Sequence, residues 1–198
     1  GGYQMKLAVF IILDQFADWE GAYLSTQLNQ SKDWQVAYAS NQDQVSSIGG
    51  LQVKPQYQLT TIPEKVDLLV LIGGNSWQLE NEKFKMLLKQ RLLDGQPVAA
   101  ICGAVDFMAK NGLLNTYRHT GNSLALWTDF SEYHNQQQFL ETQVVNDRNL
   151  VTANGTATIE FARKVLKLVH FSESVDQELD LYQLGFYQYV EKYGNPFA

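Results

Sequence analysis

Three stretches of the chain are apolar at every position: Leu7-Ala8-Val9-Phe10-Ile11-Ile12-Leu13, Leu68-Leu69-Val70-Leu71-Ile72 and Val98-Ala99-Ala100-Ile101. A strand with one wet face alternates polar and apolar side chains, so a strand that never alternates must be covered on both faces. Only a sheet sandwiched between helix layers provides that cover. Helical periodicity fills the gaps: Trp19 to Asn29 with Asp18 placed to cap it, and Glu82 to Leu93, where Phe84, Leu87, Leu88 and Arg91 share a face and Gly95 stops the helix. Strand and helix therefore alternate, which predicts an α/β fold with a mostly parallel sheet.

Further along, Val105 to Lys110 reads as a short helix ended by Asn111-Gly112, and Thr158 to Phe171 as an amphipathic one with Phe161, Val165, Leu168 and Val169 on one face. Two places break the rhythm. Val45-Ser46-Ser47-Ile48 and Leu51-Gln52-Val53-Lys54 flank Gly49-Gly50, the signal of a small hairpin insertion. Val144-Val145-Asn146 and Leu150-Val151-Thr152 flank Asp147-Arg148-Asn149 in a second hairpin-like pair. Residues 173 to 193 carry Val175, Leu179, Tyr182, Phe186 and Tyr189 at helical spacing, expected as one C-terminal helix that either packs on the domain or forms a dimer surface. No linker or repeat divides the chain, so residues 1–198 are expected to form one domain, a core of about 5–171 with a helical extension over 172–198.

Composition narrows the function. Fifteen Lys and Arg against twenty-one Asp and Glu give a net charge of −6, opposite in sign to the footprint of a nucleic-acid binder. The longest apolar run, Leu7 to Leu13, falls far short of the ~18 residues that a membrane span requires. Gly1-Gly2-Tyr3-Gln4 lacks the basic region and long apolar stretch of a signal peptide, so secretion is not expected. One cysteine, Cys102, excludes an internal disulfide and points to a reducing, cytoplasmic setting. Three scattered histidines without carboxylates at ligand spacing predict no metal, and nothing in the pattern calls for a cofactor.

Cys102 follows the third apolar strand and precedes the helix that starts at about Gly103. In open α/β sheets ligands bind at that carboxyl end. Free N–H groups and the dipole of the helix are expected to lower the thiol pKa there. Ala100 and Ala104 lie two before and two after the cysteine, the small residues that a strand-turn-helix elbow needs to expose its nucleophile. A free cysteine is often a small buried hydrophobe, and it is the elbow that shifts the reading toward a reactive sulfur. An attack on a carbonyl needs donors for the oxyanion, and the N–H groups of Gly74 and Gly103 are candidates. Trp77, just past Gly74 and Asn75, is read either as a pocket wall or as an aromatic packed on the surface.

These segments resemble the ThiJ/PfpI superfamily, part of the class I glutamine amidotransferase-like group. The resemblance rests on Asp67 to Gly74, Val98 to Ala104 with Gly112-Leu113-Leu114, Leu150 to Ala153, and Glu160-Phe161-Ala162, and covers about residues 5 to 171 in the family's order. It implies a flavodoxin-like three-layer sandwich and a homodimer. Members hold a glutamate after the first strand close to the thiol, and Phe16-Ala17-Asp18-Trp19-Glu20 is similar to that segment, giving Glu20 the role. A carboxyl beside a thiolate and short of solvent is pushed toward its protonated form and can then donate or accept a proton.

Two departures from the family bear on activity. Protease-type members carry histidine directly after the nucleophile, where this chain has Gly103; others supply it from a later segment, where Thr120-Gly121-Asn122-Ser123 places Asn122. His119 is three positions earlier and, on a strand, would face away from Asn122. The late His-x-Glu of glutaminases is missing, because His170-Phe171-Ser172 does not supply it, and His134 has no partner in the pattern. The resemblance thus implies a cysteine-dependent enzyme of hydrolase or glyoxalase/deglycase type acting on a small carbonyl or amide, with Cys102 and Glu20 catalytic, Gly74 and Gly103 holding the oxyanion, and Gly73, Asn75, Trp77, His119 and Asn122 as substrate contacts. The alternative is a non-catalytic redox or stress-response protein that senses oxidants through Cys102, for which the single cysteine leaves no internal resolving thiol.

Overall fold

The computed structural model describes residues 4–198, so Gly1 to Tyr3 of the segment examined for a leader lie outside it. All three apolar runs are central strands: β1 (Lys6–Ile11), β6 (Leu68–Leu71) and β7 (Val98–Ile101). They lie side by side in a seven-stranded sheet with β2 (Trp34–Ser40), β5 (Tyr57–Gln58), β8 (Val144–Asp147) and β9 (Leu150–Ala153), in the order β5-β2-β1-β6-β7-β9-β8. Every pairing is parallel except β8 with β9, which is the second hairpin read from the sequence. This is the flavodoxin-like α/β sandwich.

Consecutive residues of one strand supply two different cores, which explains why the runs never alternate. Val9 and Ile11 join α2 (Glu82–Leu93) and α3 (Gly103–Lys110) on one face, through Phe84, Leu88 and Phe107. Ala8, Phe10 and Ile12 join α1 (Asp18–Gln30) and α4 (Thr158–Leu168) on the other, through Leu24, Leu28, Phe161 and Val165. Phe10 and Phe161 are wholly buried, each contributing about 1.5–3 kcal/mol.

Several boundaries differ from the sequence reading. The strand β2 and the short β5 were not legible; Trp34-Gln35-Val36-Ala37-Tyr38-Ala39-Ser40 mixes exposed and buried positions near the sheet's margin. Asp18 does not cap α1. Ala17 occupies the cap position, and the Asp18 carboxylate accepts from Ser47 Oγ at 2.6 Å and Gly49 N at 2.8 Å, tying the hairpin insertion to α1. These bonds hold the Asp18 pKa below the usual carboxylate range. That insertion has strands of two residues, β3 (Val45–Ser46) and β4 (Gln52–Val53), because Ser47 N already bonds Leu51 O and closes a longer turn than Gly49-Gly50 alone.

The C-terminal segment is two helices, α5 (Val175–Leu184) and α6 (Phe186–Tyr193), broken at Gly185, whose φ is +85°. Val175 and Leu179 complete the α1/α4 core. Arg163 of α4 binds Asp176 at 2.8 Å, fastening α5 in place. Tyr182 packs edge-on against Tyr23 of α1 at 4.6 Å, while Tyr187 stays exposed. Among the described residues no helix is long and apolar enough to cross a membrane.

Candidate active site

At Cys102 the chain turns from β7 into α3 with φ 61° and ψ −130°, a backbone conformation that a residue with a Cβ adopts at a cost of order 1–3 kcal/mol. Its N–H is fixed to Ala153 O at 3.0 Å, so the strained turn is anchored to β9 while the side chain points out of the sheet end. This is the elbow anticipated from Ala100 and Ala104, both wholly buried beneath it.

Glu20 reaches the same place from the first turn of α1 and is 1% exposed. Its Oε1 accepts from Gly73 N at 2.8 Å. No hydrogen-bond partner reaches its buried Oε2, and the Cys102 thiol is the neighbouring side chain that acts on the carboxyl. Burial raises the Glu20 carboxyl to about 7, against the hydrogen bonds of the thiol and Gly73. Burial also pushes the Cys102 thiol up, to about 11; the Glu20 charge adds to the push, while Asn122 and the Gly103 backbone oppose it. The expected lowering of the thiol pKa therefore does not occur, because loss of water outweighs what the short helix α3 returns. The two groups titrate as a pair.

Asn122 completes the constellation. Its Nδ2 donates to Cys102 Sγ at 3.1 Å and its Oδ1 accepts from Gly155 N at 2.9 Å, which fixes the orientation of the amide. The position to which the family resemblance assigned a histidine in other members thus touches the sulfur here with a neutral donor.

Glycines make the approach possible. A Cβ at Gly73 would lie 2.5 Å from Cys102 Cβ and 2.6 Å from Glu20 Oε1, so a side chain there would wedge the pair apart. Gly73 N is engaged by Glu20 and its O accepts from Ala17, which corrects its assignment as a substrate contact. Gly74 has φ +147°, and a Cβ would come within 2.3 Å of Gln15 O. Among the described residues no backbone acceptor claims the Gly74 N–H, whereas the Gly103 N–H hydrogen-bonds the Cys102 sulfur and so faces the reacting atom.

Other anticipated contacts lie elsewhere. Trp77 is neither a pocket wall nor a surface aromatic: it is 4% exposed, donates from Nε1 to Ile72 O at 2.7 Å, and packs on Phe84 and Phe107. His119 is fully buried away from the thiol, Nδ1 bonded to Tyr117 O and Nε2 to Tyr133 Oη, because the local chain turns it inward under Trp127. Burial lowers its pKa and keeps it neutral. Asn75 sits exposed on the loop, its N–H bound to Gln15 O.

One neighbour of the sulfur, Gly155, and the Trp19 side chain that holds it were not singled out from sequence. A Cβ at Gly155 would lie 2.9 Å from Cys102 Sγ, and half-exposed Trp19 donates from Nε1 to Gly155 O at 2.9 Å. The signal was present: Asn154-Gly155 follows β9, where ligands gather in such sheets. Beside Asn122 opens a cleft of about 600 Å³ that runs along residues 120–125 and reaches Asn154 and Thr156. Among the described residues no group of three His, Cys, Asp or Glu could hold a metal.

Comparison with known proteins agrees with this fold. The chain is 49% identical over 196 residues to the Bacillus subtilis protein named uncharacterized protease YdeA, covering 98% of this chain and all of the relative. The crystal structure of a thiJ/pfpI family protein from Bacillus anthracis superposes with a TM-score of 0.86 at 31% identity, covering 97% of both chains. A DJ-1 superfamily protein from Agrobacterium tumefaciens gives 0.83 at 30%, covering 91% of this chain and 98% of its own. The DJ-1/PfpI family matches residues 5–168, and the chain belongs to that family.

Proposed function

We propose that the chain is a cysteine-dependent enzyme acting on a small carbonyl or amide substrate, of hydrolase or glyoxalase/deglycase type. The observation that carries this reading is the buried Glu20 carboxyl, raised to about 7 beside the Cys102 thiol, with its Oε2 left without a hydrogen-bond partner. A thiol held at about 11 is a poor nucleophile by free ionisation, so the proton passes to the Glu20 carboxylate as Sγ attacks. The new S–C bond sends the carbonyl π electrons to oxygen, held by the Gly74 and Gly103 N–H groups. With an amide, the C–N bond then breaks, Glu20 returns the proton to the departing amine, and water hydrolyses the thioester. With an aldehyde, the proton goes to the alkoxide and a hemithioacetal results.

Asn122 orients and stabilises the sulfur but carries no proton, so peptide hydrolysis by a Cys/His dyad is not the reading, although a relative bears a protease name. That same lack of histidine at the sulfur favours a second reading, a redox sensor whose Cys102 is oxidised beside Glu20. Intact mass during peroxide titration, with turnover assays on aldehydes, amides and peptides, separates them. Turnover abolished by Cys102→Ser supports the enzyme; ready oxidation without any turnover overturns it in favour of the sensor.

Three further statements belong to this proposal. Residues 1–198 form one domain, with 172–198 as its extension, which a single cooperative unfolding transition checks. Exposed Trp19, Ile48 and Leu51 near an apolar groove of about 290 Å³ between α1 and the hairpin support a homodimer, to be tested by light scattering. The free thiol supports work in the cytoplasm, and cell fractionation tests that.

A further inference from the structure

We infer that the site selects its carbonyl substrates by charge, admitting neutral or amine-bearing molecules and turning away those that carry a carboxylate or phosphate. The inference deepens the enzyme reading and rests on it. Substrates approach along the cleft beside Asn122, whose wall is built from hydrogen-bonding but uncharged groups: Ser123, Gln143, Asn154 and Thr156 among them. That wall is internally tied. Asn154 Oδ1 accepts from Thr156 N at 3.0 Å, Thr156 Oγ1 donates to Gln143 Oε1 at 2.9 Å, and Asn154 Nδ2 donates to Gly121 O at 3.2 Å. These bonds leave Gln143 Nε2 free to meet a substrate oxygen.

The ionisable residue lining this cleft is Glu141, exposed and without an ion pair among the described residues. Asn122 of this wall donates to Cys102 Sγ at 3.1 Å, and the Glu20 carboxyl is the charged group that acts on that thiol. Cations gather elsewhere: Lys85, Lys89 and Arg148 line a separate cleft of about 390 Å³ between α2 and the β8–β9 turn. An anionic substrate would thus meet Glu141 on the way in and Glu20 at the sulfur, with no arginine or lysine in the cleft wall to receive its charge. An ammonium group would pair with Glu141. At physiological salt the Debye length is about 8 Å, so these charges act at the cleft's own scale and weaken on adding salt.

The single cysteine makes the test clean. Methanethiosulfonate reagents bearing a methyl, a trimethylammonium-ethyl or a sulfonatoethyl group each transfer their thiol fragment to Cys102, forming a disulfide and releasing methanesulfinate. Rates on the folded chain at low salt, divided by those on the urea-unfolded chain, remove intrinsic reagent differences. The corrected cationic-to-anionic ratio is expected at roughly tenfold, falling toward one in 0.5 M salt and narrowing by about two- to threefold in Glu141→Gln. Neutral reagent reacting while the charged pair shows equal rates, or an anionic preference, overturns charge selection alone. A folded chain inert to the neutral reagent overturns the nucleophile reading, and this inference with it.

Discussion

Two buried polar clusters flank α3, and they differ in what they leave unfinished. Around His119, both ring nitrogens are bonded, Tyr133 Oη donates a hydrogen bond to Asn135 O, and Trp127, Tyr133 and Phe139 pack on the imidazole at 5.6–5.9 Å. Around Cys102, the backbone is strained, Glu20 Oε2 has no O–H or N–H donor, and among the described residues no backbone acceptor takes the Gly74 N–H. A satisfied network stabilises the fold and does no chemistry; an unsatisfied one is retained at a cost in stability and has hydrogen-bonding capacity for a ligand. His119 belongs to the first kind, although histidine is the more common catalytic residue.

The contrast breaks most readily at His119. His119→Ala should destabilise the protein by about 3–4 kcal/mol, from lost ring packing and a lost pair of hydrogen bonds, as read by denaturant unfolding. Alkylation of Cys102 by iodoacetamide, measured on the folded fraction, should stay within about twofold. A large change in thiol reactivity would mean that the two clusters are coupled.

Glu20→Gln sharpens the other side. The folded carboxyl sits at about 7 against 4.5 for its ordinary value, so the folded state holds this proton more tightly than the unfolded state does. Its contribution to stability is full below pH 4.5 and is lost as pH rises through 7, by about 3 kcal/mol in all. The variant should lose that fall in stability when its pH profile is subtracted from that of the wild type. It should also lose an alkylation inflection near pH 7, and its thiol should titrate below the wild-type value because the repelling charge is gone.

The smallest effect belongs to Asn122→Ala. Losing one donor to sulfur should slow alkylation at pH 7 by roughly tenfold, with unfolding free energy changed by about 1 kcal/mol. A rate unchanged in this variant would show that the 3.1 Å contact does not stabilise the thiolate.

Legibility followed the same division. The β1, β6 and β7 runs were readable because a strand covered twice has no polar positions, and the elbow because it needs small residues at fixed spacing. The strand β2 was not, since Trp34 to Ser40 is only partly covered. Trp77 and His119 were misjudged for one reason: proximity in sequence to a site does not say which way a side chain turns. Gly155 went unnoticed although its place after β9 was visible, because a glycine has no chemistry until something crowds it.

The sequence by itself determined a sheet buried on both faces, a cysteine at the carboxyl end of a central strand, and the small residues that its elbow needs. Those follow from local rules, the period of a strand and the steric needs of a turn. Only the tertiary structure decided that Glu20 is shut away from water beside the thiol, that Asn122 rather than a histidine touches the sulfur, and that burial raises the thiol pKa where a helix end alone would lower it. Protonation depends on how much solvent surrounds a group and on which groups from distant segments face it, and neither is a property of neighbours along the chain.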